Sequence, residues 1–162
     1  HRDLHLSIRR QRQMCIRDSP AVLRVVIVHP HTEVLTAEAR KLVADRRYTI
    51  NQAVQNLGNV AALVTALHQA DLSLFARSIG DALVEPIRAP LVPGYTTVKQ
   101  AALDAGALGC SISGSGPSVV AFADSDALAN HVATAIEEGF ARHSLTSNRY
   151  VGPVNGVGAQ VV

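Results

Sequence analysis

The sequence predicts an α+β sandwich, a mostly antiparallel sheet with helices grouped on one face. Three observations carry that expectation. The run "VLRVVIVHP" (Val22–Pro30) is continuous, β-branched and ended by proline, the composition of a buried strand. From residue 36 to residue 106 only helical periodicity follows, so the strand–helix–strand alternation of a doubly wound parallel sheet is missing. Beyond residue 109, two strand-like runs flank a glycine loop, and a helix and closing strands complete the chain.

Taken in order, "TEVLTAEARKLVAD" predicts a helix from about Ala37, with Thr36 placed to cap it. From Thr49 to Gln69, Val54, Leu57, Val60, Ala61, Val64 and Leu67 recur at helical spacing, predicting a long amphipathic helix that buries that stripe. A shorter helix over Asp71–Leu83 leads into the proline-rich connection "EPIRAPLVPG". Residues 94–106 predict another helix, with Val98, Ala101, Ala102 and Ala105 on one face and Gly106 as its stop. Ser118–Phe122 reads as a strand. The helix after it is capped at Ser125 or Asp126 and buries Leu128, Val132, Ala135, Ile136 and Phe140. "NRYVGPVNGVGAQVV" reads as two short strands around a Gly/Pro/Asn turn.

The 162 residues suffice for one domain with a real core, burying roughly 70% of the unfolded surface. Apolar residues make up 48% and aromatics 4%, so Ala, Val, Leu and Ile build that core. No run approaches the roughly 20 apolar residues of a membrane helix. Cys15 and Cys110 lie far apart without metal-ligand spacing, which fits a reducing, cytoplasmic setting. Residues 1–19 hold five Arg and two Asp, a net +3, and leave −1 for the rest. That segment lacks the apolar stretch of a signal peptide. Its "RQMCIRDS" resembles a translated adapter remnant, so residues 1–19 are expected to be non-native or disordered and the domain to cover 20–162. Neither nucleic acid nor membrane is an expected partner.

Several residues could carry chemistry. The loop "SGSGP" around Gly114 and Gly116 matches neither a dinucleotide fingerprint nor a Walker A loop. Its glycines could let backbone N–H groups cradle an anion, or could supply positive φ in a hairpin turn. The two readings are compatible. Arg88 in "EPIR" could pair with Glu85 or face solvent, and Arg40 could share a solvated face with Lys41. Guanidinium is nevertheless the group suited to bidentate capture of a carboxylate or phosphate. His29 and His31 form an HxH pair with no recognisable third ligand, so no metal site is expected. The loop serines have no adjacent histidine in the sequence, and Cys110 lies in an apolar strand, which leaves no nucleophile–base pair.

The segments "PHTEVLTAEAR", "EPIRAPLVPGY" and "VKQAALDAGALGCSISGSGPSVVAF", with the closing strands, resemble the C-terminal half of the homoserine kinases, within the GHMP small-molecule kinases. The resemblance runs from about Val22 to Val162. It implies a ferredoxin-like α+β half, the GHMP kinase C-terminal domain. It also implies transfer of the ATP γ-phosphoryl, with Mg2+, to the hydroxyl of L-homoserine on the route to threonine. Arg40 and Arg88 would hold the substrate carboxylate, with Thr36 near the reacting centre. Ser113, Gly114, Ser115 and Gly116 would form a loop beside the phosphate-binding loop, with Gly114 also lining the substrate pocket. A homodimer is compatible with the same resemblance.

The family's PxxxGLGSSA-like nucleotide loop does not occur in the 162 residues, nor does its magnesium-binding glutamate. The chain alone is therefore expected neither to bind ATP tightly nor to turn over. Two alternatives stand beside this reading: another GHMP kinase, acting on mevalonate or a sugar, and a stand-alone ferredoxin-like module that binds an amino acid.

Overall fold

The computed structural model describes residues 19–154. The expectation for residues 1–19 falls, but for Ser19, outside them, as does the second closing strand. Strand β1 (Arg24–Pro30) lies inside a four-stranded sheet between β3 (Val119–Ala123) and β4 (Ser147–Pro153), and β2 (Gly109–Ile112) pairs with β3. Every pairing is antiparallel, in the order β2-β3-β1-β4. With one helical crossover between β1 and β2 and one between β3 and β4, this is the split βαβ arrangement of ferredoxin-like folds.

Side chains alternate across each strand, so the register decides which residues share a face. Val26 faces Ala121 and Val28 faces Val119 across the β1–β3 pair. Together with Cys110 they lie buried beneath two helices, α5 (Tyr95–Asp104) and α6 (Asp126–Ala141). Those helices contribute Val98, Ala102, Ala129, Val132, Ala133, Ile136 and Phe140. Full burial of each Val or Ile stabilises by about 1.5–3 kcal/mol, which makes this layer the main hydrophobic term. Ser125 accepts from the Leu128 N–H and caps α6, while Arg24 pairs with Asp126 and ties the cap to β1. No described helix is long and apolar enough to cross a membrane.

Phe122 points to the other side of the sheet. There it meets Phe75 edge to face, with ring centroids 5.2 Å apart. Leu23, Ala66 and Phe75 form a second, smaller core between α2 (Ile50–Gln69) and α3 (Leu72–Ser78). The expectation of helices on one face therefore holds for α5 and α6, whereas α2 and α3 reach the Phe122 side.

Three local expectations change. Thr36 is not a cap: Leu35 is the N-cap of α1 (Thr36–Ala44), and Thr36 begins the helix itself. Helix α3 ends at Ser78 instead of Leu83: the backbone leaves helical geometry at Ile79, and beyond it the Asp81 carboxylate takes the N–H groups of Leu83, Val84 and Glu85. On α2, Val54, Leu57, Val60 and Val64 are exposed, Leu57 at 70%. Of the expected stripe Leu67 does pack, together with Leu63 and Ala66, which lie outside it. Its start is secured by a reciprocal capping box between Thr49 and Gln52.

Candidate functional site

The glycine loop is a tight turn at the head of the β2–β3 hairpin. The Ser113 N–H donates to the Ser118 carbonyl at 2.8 Å and the Gly116 N–H to the Ser113 carbonyl at 3.1 Å. Gly114 and Gly116 have φ of +63° and +83°, values that glycine adopts without penalty. Their surroundings differ. A Cβ on Gly116 would come within 3.1 Å of Val92, while one on Gly114 would meet nothing within 4 Å. The loop thus rests on Val92 at Gly116 and is open at Gly114.

Beside it lies α4 (Glu85–Arg88), a single turn of helix. So short a helix cannot hold itself, and its N-terminus is held from outside. The Asp81 carboxylate accepts from the N–H groups of Leu83, Val84 and Glu85 at 2.8–3.0 Å. Asn56 braces it by donating to Asp81 Oδ1 at 2.8 Å and accepting from the Ala82 N–H at 2.7 Å. Gln52 and Asn59 donate to the carbonyls of Ala82 and Gly80. Burial pushes the Asp81 carboxyl up, but hydrogen bonds from Asn56 and the backbone outweigh it and hold the group below the usual carboxylate range.

Arg88 neither pairs with Glu85 nor simply faces solvent. Its Nη1 donates to the Gly114 carbonyl at 2.7 Å, while its Nε is buried and has no hydrogen-bond partner among the described residues. Glu85 instead takes Lys99 Nζ on Oε1 and the Ser111 hydroxyl, at 2.9 Å, on Oε2. Buried Tyr95 and Cys110 lie near this pair. Burial chiefly, and the charge of Glu85 next, push the Tyr95 hydroxyl well up. Burial pushes the Cys110 thiol up to about 12, with Lys99 opposing and Glu85 adding to the shift.

Helix α1 packs against α4. Thr36 Oγ1 lies 3.3 Å from Ser115 Oγ, so α1 touches the loop from the other side. Arg40 is one turn further along the Thr36 face and is exposed, beside fully buried Ala39. Of the residues singled out in the sequence, Thr36, Ser115, Gly114 and Arg88 are joined through the loop and Ser113 closes its base, while Arg40 follows Thr36 by one turn on α1 and is exposed. His29 Nδ1 lies 2.9 Å from Ser118 Oγ, a histidine–serine contact that the linear sequence hides. His31 Nδ1 engages Thr146 Oγ1 at 2.8 Å.

Glu85, Lys99, Ser111, Asp81 and Asn56 were not expected at the site. One signal pointed to Asn56: Gln52, Asn56 and Asn59 share a polar edge on a helix that carries no Asp, Glu, Lys or Arg.

Comparison with known proteins gives the same frame. The sequence pattern of the family described as GHMP kinases C terminal matches residues 63–142. The chain carries a GHMP kinase C-terminal domain. Its similarity extends beyond that pattern: the homoserine kinase of Chlorobaculum tepidum is 46% identical over 145 residues, covering 88% of this chain and 44% of that protein. The homoserine kinase of Xanthomonas campestris pv. campestris is 38% identical over 143 residues. A crystal structure of homoserine kinase from Cytophaga hutchinsonii superposes with a TM-score of 0.86 at 46% identity, covering 90% of this chain and 46% of that one. Mevalonate kinase of L. major, at 17% identity and a TM-score of 0.63, shares the fold. The GHMP C-terminal domain described here therefore spans a little under half the length of these relatives.

Proposed function

We propose that this domain is the substrate-binding half of a homoserine kinase, which phosphorylates the side-chain hydroxyl of L-homoserine to O-phospho-L-homoserine in threonine biosynthesis. The observation that carries the reading is the state of Arg88. Its guanidinium is fixed against the loop by one N–H and holds a second, Nε, buried without an acceptor. A buried donor left unsatisfied costs about 1–3 kcal/mol, so a shift of the Arg88 side chain that lets a ligand oxygen reach Nε is favoured. A carboxylate satisfies such a cation with charge-assisted bonds. Arg40, one turn from Thr36, would supply a second guanidinium to the same group.

Phosphoryl transfer depends chiefly on positioning and charge stabilisation. With the amino-acid carboxylate clamped by arginine, the side-chain hydroxyl has fewer positions to search. The Thr36 and Ser115 hydroxyls, already in contact, would line the path beside the loop. ATP with Mg2+ would supply the phosphoryl group. The described residues fit the acceptor and not the donor: no three His, Cys, Asp or Glu side chains gather among them, and no Walker-type loop occurs in the sequence.

The test is a chimera in which residues 20–162 replace the matching C-terminal portion of the Chlorobaculum tepidum homoserine kinase. Phosphorylation of L-homoserine, with KM raised by Arg88→Ala, supports the reading. A folded, ATP-binding chimera that phosphorylates mevalonate or a sugar in preference, or nothing, overturns it.

A further inference from the structure

We infer that Glu85 is a positioning residue for Arg88, acting through Ser111 and Lys99; the functional meaning of that role rests on the reading of Arg88 above. Glu85 and Arg88 are three residues apart and share one face of α4. Their partners, Ser111 and Gly114, are also three residues apart, on β2 and the loop that follows it. The helix and the hairpin are therefore joined by two rungs with the same offset of 26 residues. Rotation or slippage of α4 cannot break one rung without displacing the other.

The rungs are not equal. The Arg88 rung leaves the guanidinium with one backbone carbonyl and an unpartnered Nε, so it cannot set the orientation of the turn by itself. Glu85 is held from two separate elements. Ser111 reaches Oε2 from β2, and Lys99 reaches Oε1 from α5. The Glu85 side chain is only 12% exposed, and a carboxylate so far from water needs a counter-charge, which Lys99 provides. Asp81 holds the backbone start of the same turn, so what remains for Glu85 is its rotation, which decides where Arg88 points.

The test follows the Arg88 Nε–H signal in the 15N NMR spectrum of the 162-residue chain, assigned by its loss in Arg88→Lys. In Glu85→Ala and in Ser111→Ala, exchange of that proton with water is expected to rise at least about tenfold while the backbone amide spectrum stays folded. Glu85→Gln, which keeps an acceptor for Ser111, should fall between wild type and Glu85→Ala. Should Glu85→Ala fail to fold, Ser111→Ala decides, because it leaves the Lys99 pair intact. An unchanged Arg88 signal in the folded variants overturns the inference. A separate titration with L-homoserine addresses the carboxylate reading: failure to move the wild-type signal counts against that reading alone, and the Glu85 result stands.

Discussion

The Nη1 of Arg88 lies 2.7 Å from the carbonyl oxygen of Gly114 and donates to it, joining a one-turn helix to a glycine loop 26 residues further along the chain. Gly114 thereby receives a role beyond its own conformation. Its carbonyl anchors the cation, while the space where its side chain would stand is open.

Loss of the guanidinium should be costly to binding. Charge-assisted hydrogen bonds contribute about 1.5–3 kcal/mol, so Arg88→Ala in the homoserine kinase chimera should raise KM for L-homoserine by roughly 10- to 100-fold. Arg88→Lys should also raise it, since an ammonium has no fork. Steady-state kinetics check both, and an unchanged KM would remove Arg88 from the site.

The two loop glycines should differ in tolerance. Gly114→Ala meets only the left-handed φ, a penalty of about 1–2 kcal/mol. Gly116→Ala carries the same penalty and also presses on Val92 at 3.1 Å, so urea denaturation should rank it as the more damaging.

Acid should loosen α4. The folded-state pKa of Asp81 is depressed, so the stability this group contributes is present above its unfolded value near about 4 and is lost as pH falls through the lower folded value. Asp81→Asn should flatten the decline of stability below about pH 4. Thermal unfolding of both proteins across that range measures it.

Cys110 should resist alkylation. With its pKa pushed up to about 12, roughly one thiol in 10,000 is ionised at pH 8. Peptide mass spectrometry after iodoacetamide should find Cys110 unlabelled in native protein and labelled after denaturation.

The exposed stripe of α2 and the small core between α2 and α3 should answer differently to substitution. Leu57→Gln, on the exposed stripe, should change stability by no more than about 0.5 kcal/mol, whereas Phe75→Ala should cost about 3–5 kcal/mol. Equal effects would mean that the stripe is packed after all.

Much of the fold was legible in the sequence because it follows from local periodicity. The β-branched run became β1, Gly106 ended α5, and Ser125 capped α6. The errors share a cause. The apolar spacing of Val54, Leu57 and Val64 describes a helix face but not what lies opposite it, and here packing kept only Leu67 of that stripe and added Leu63 and Ala66. Helix α3 appeared too long because its apolar residues run on through Ile79, Ala82 and Leu83, whereas the backbone leaves helical geometry at Ile79. At the site, the residue types of Arg40, Arg88, Thr36 and the glycine loop marked them out, whereas Glu85, Lys99 and Ser111 lie in the same quoted segments without a type or spacing that shows they meet.

By itself, then, the sequence determined the main strands and the longer helices, though not the turn of helix α4 inside the proline-rich connection, since those properties depend on neighbours within a turn or two. Only the tertiary structure decided that Arg88 turns from Glu85 to Gly114, that Glu85 turns to Lys99 and Ser111, and that Thr36 meets Ser115. Each of these contacts joins residues at least 14 positions apart. Their partners are chosen by sheet register and helix packing, which bring distant groups within hydrogen-bond reach and leave nearer ones apart.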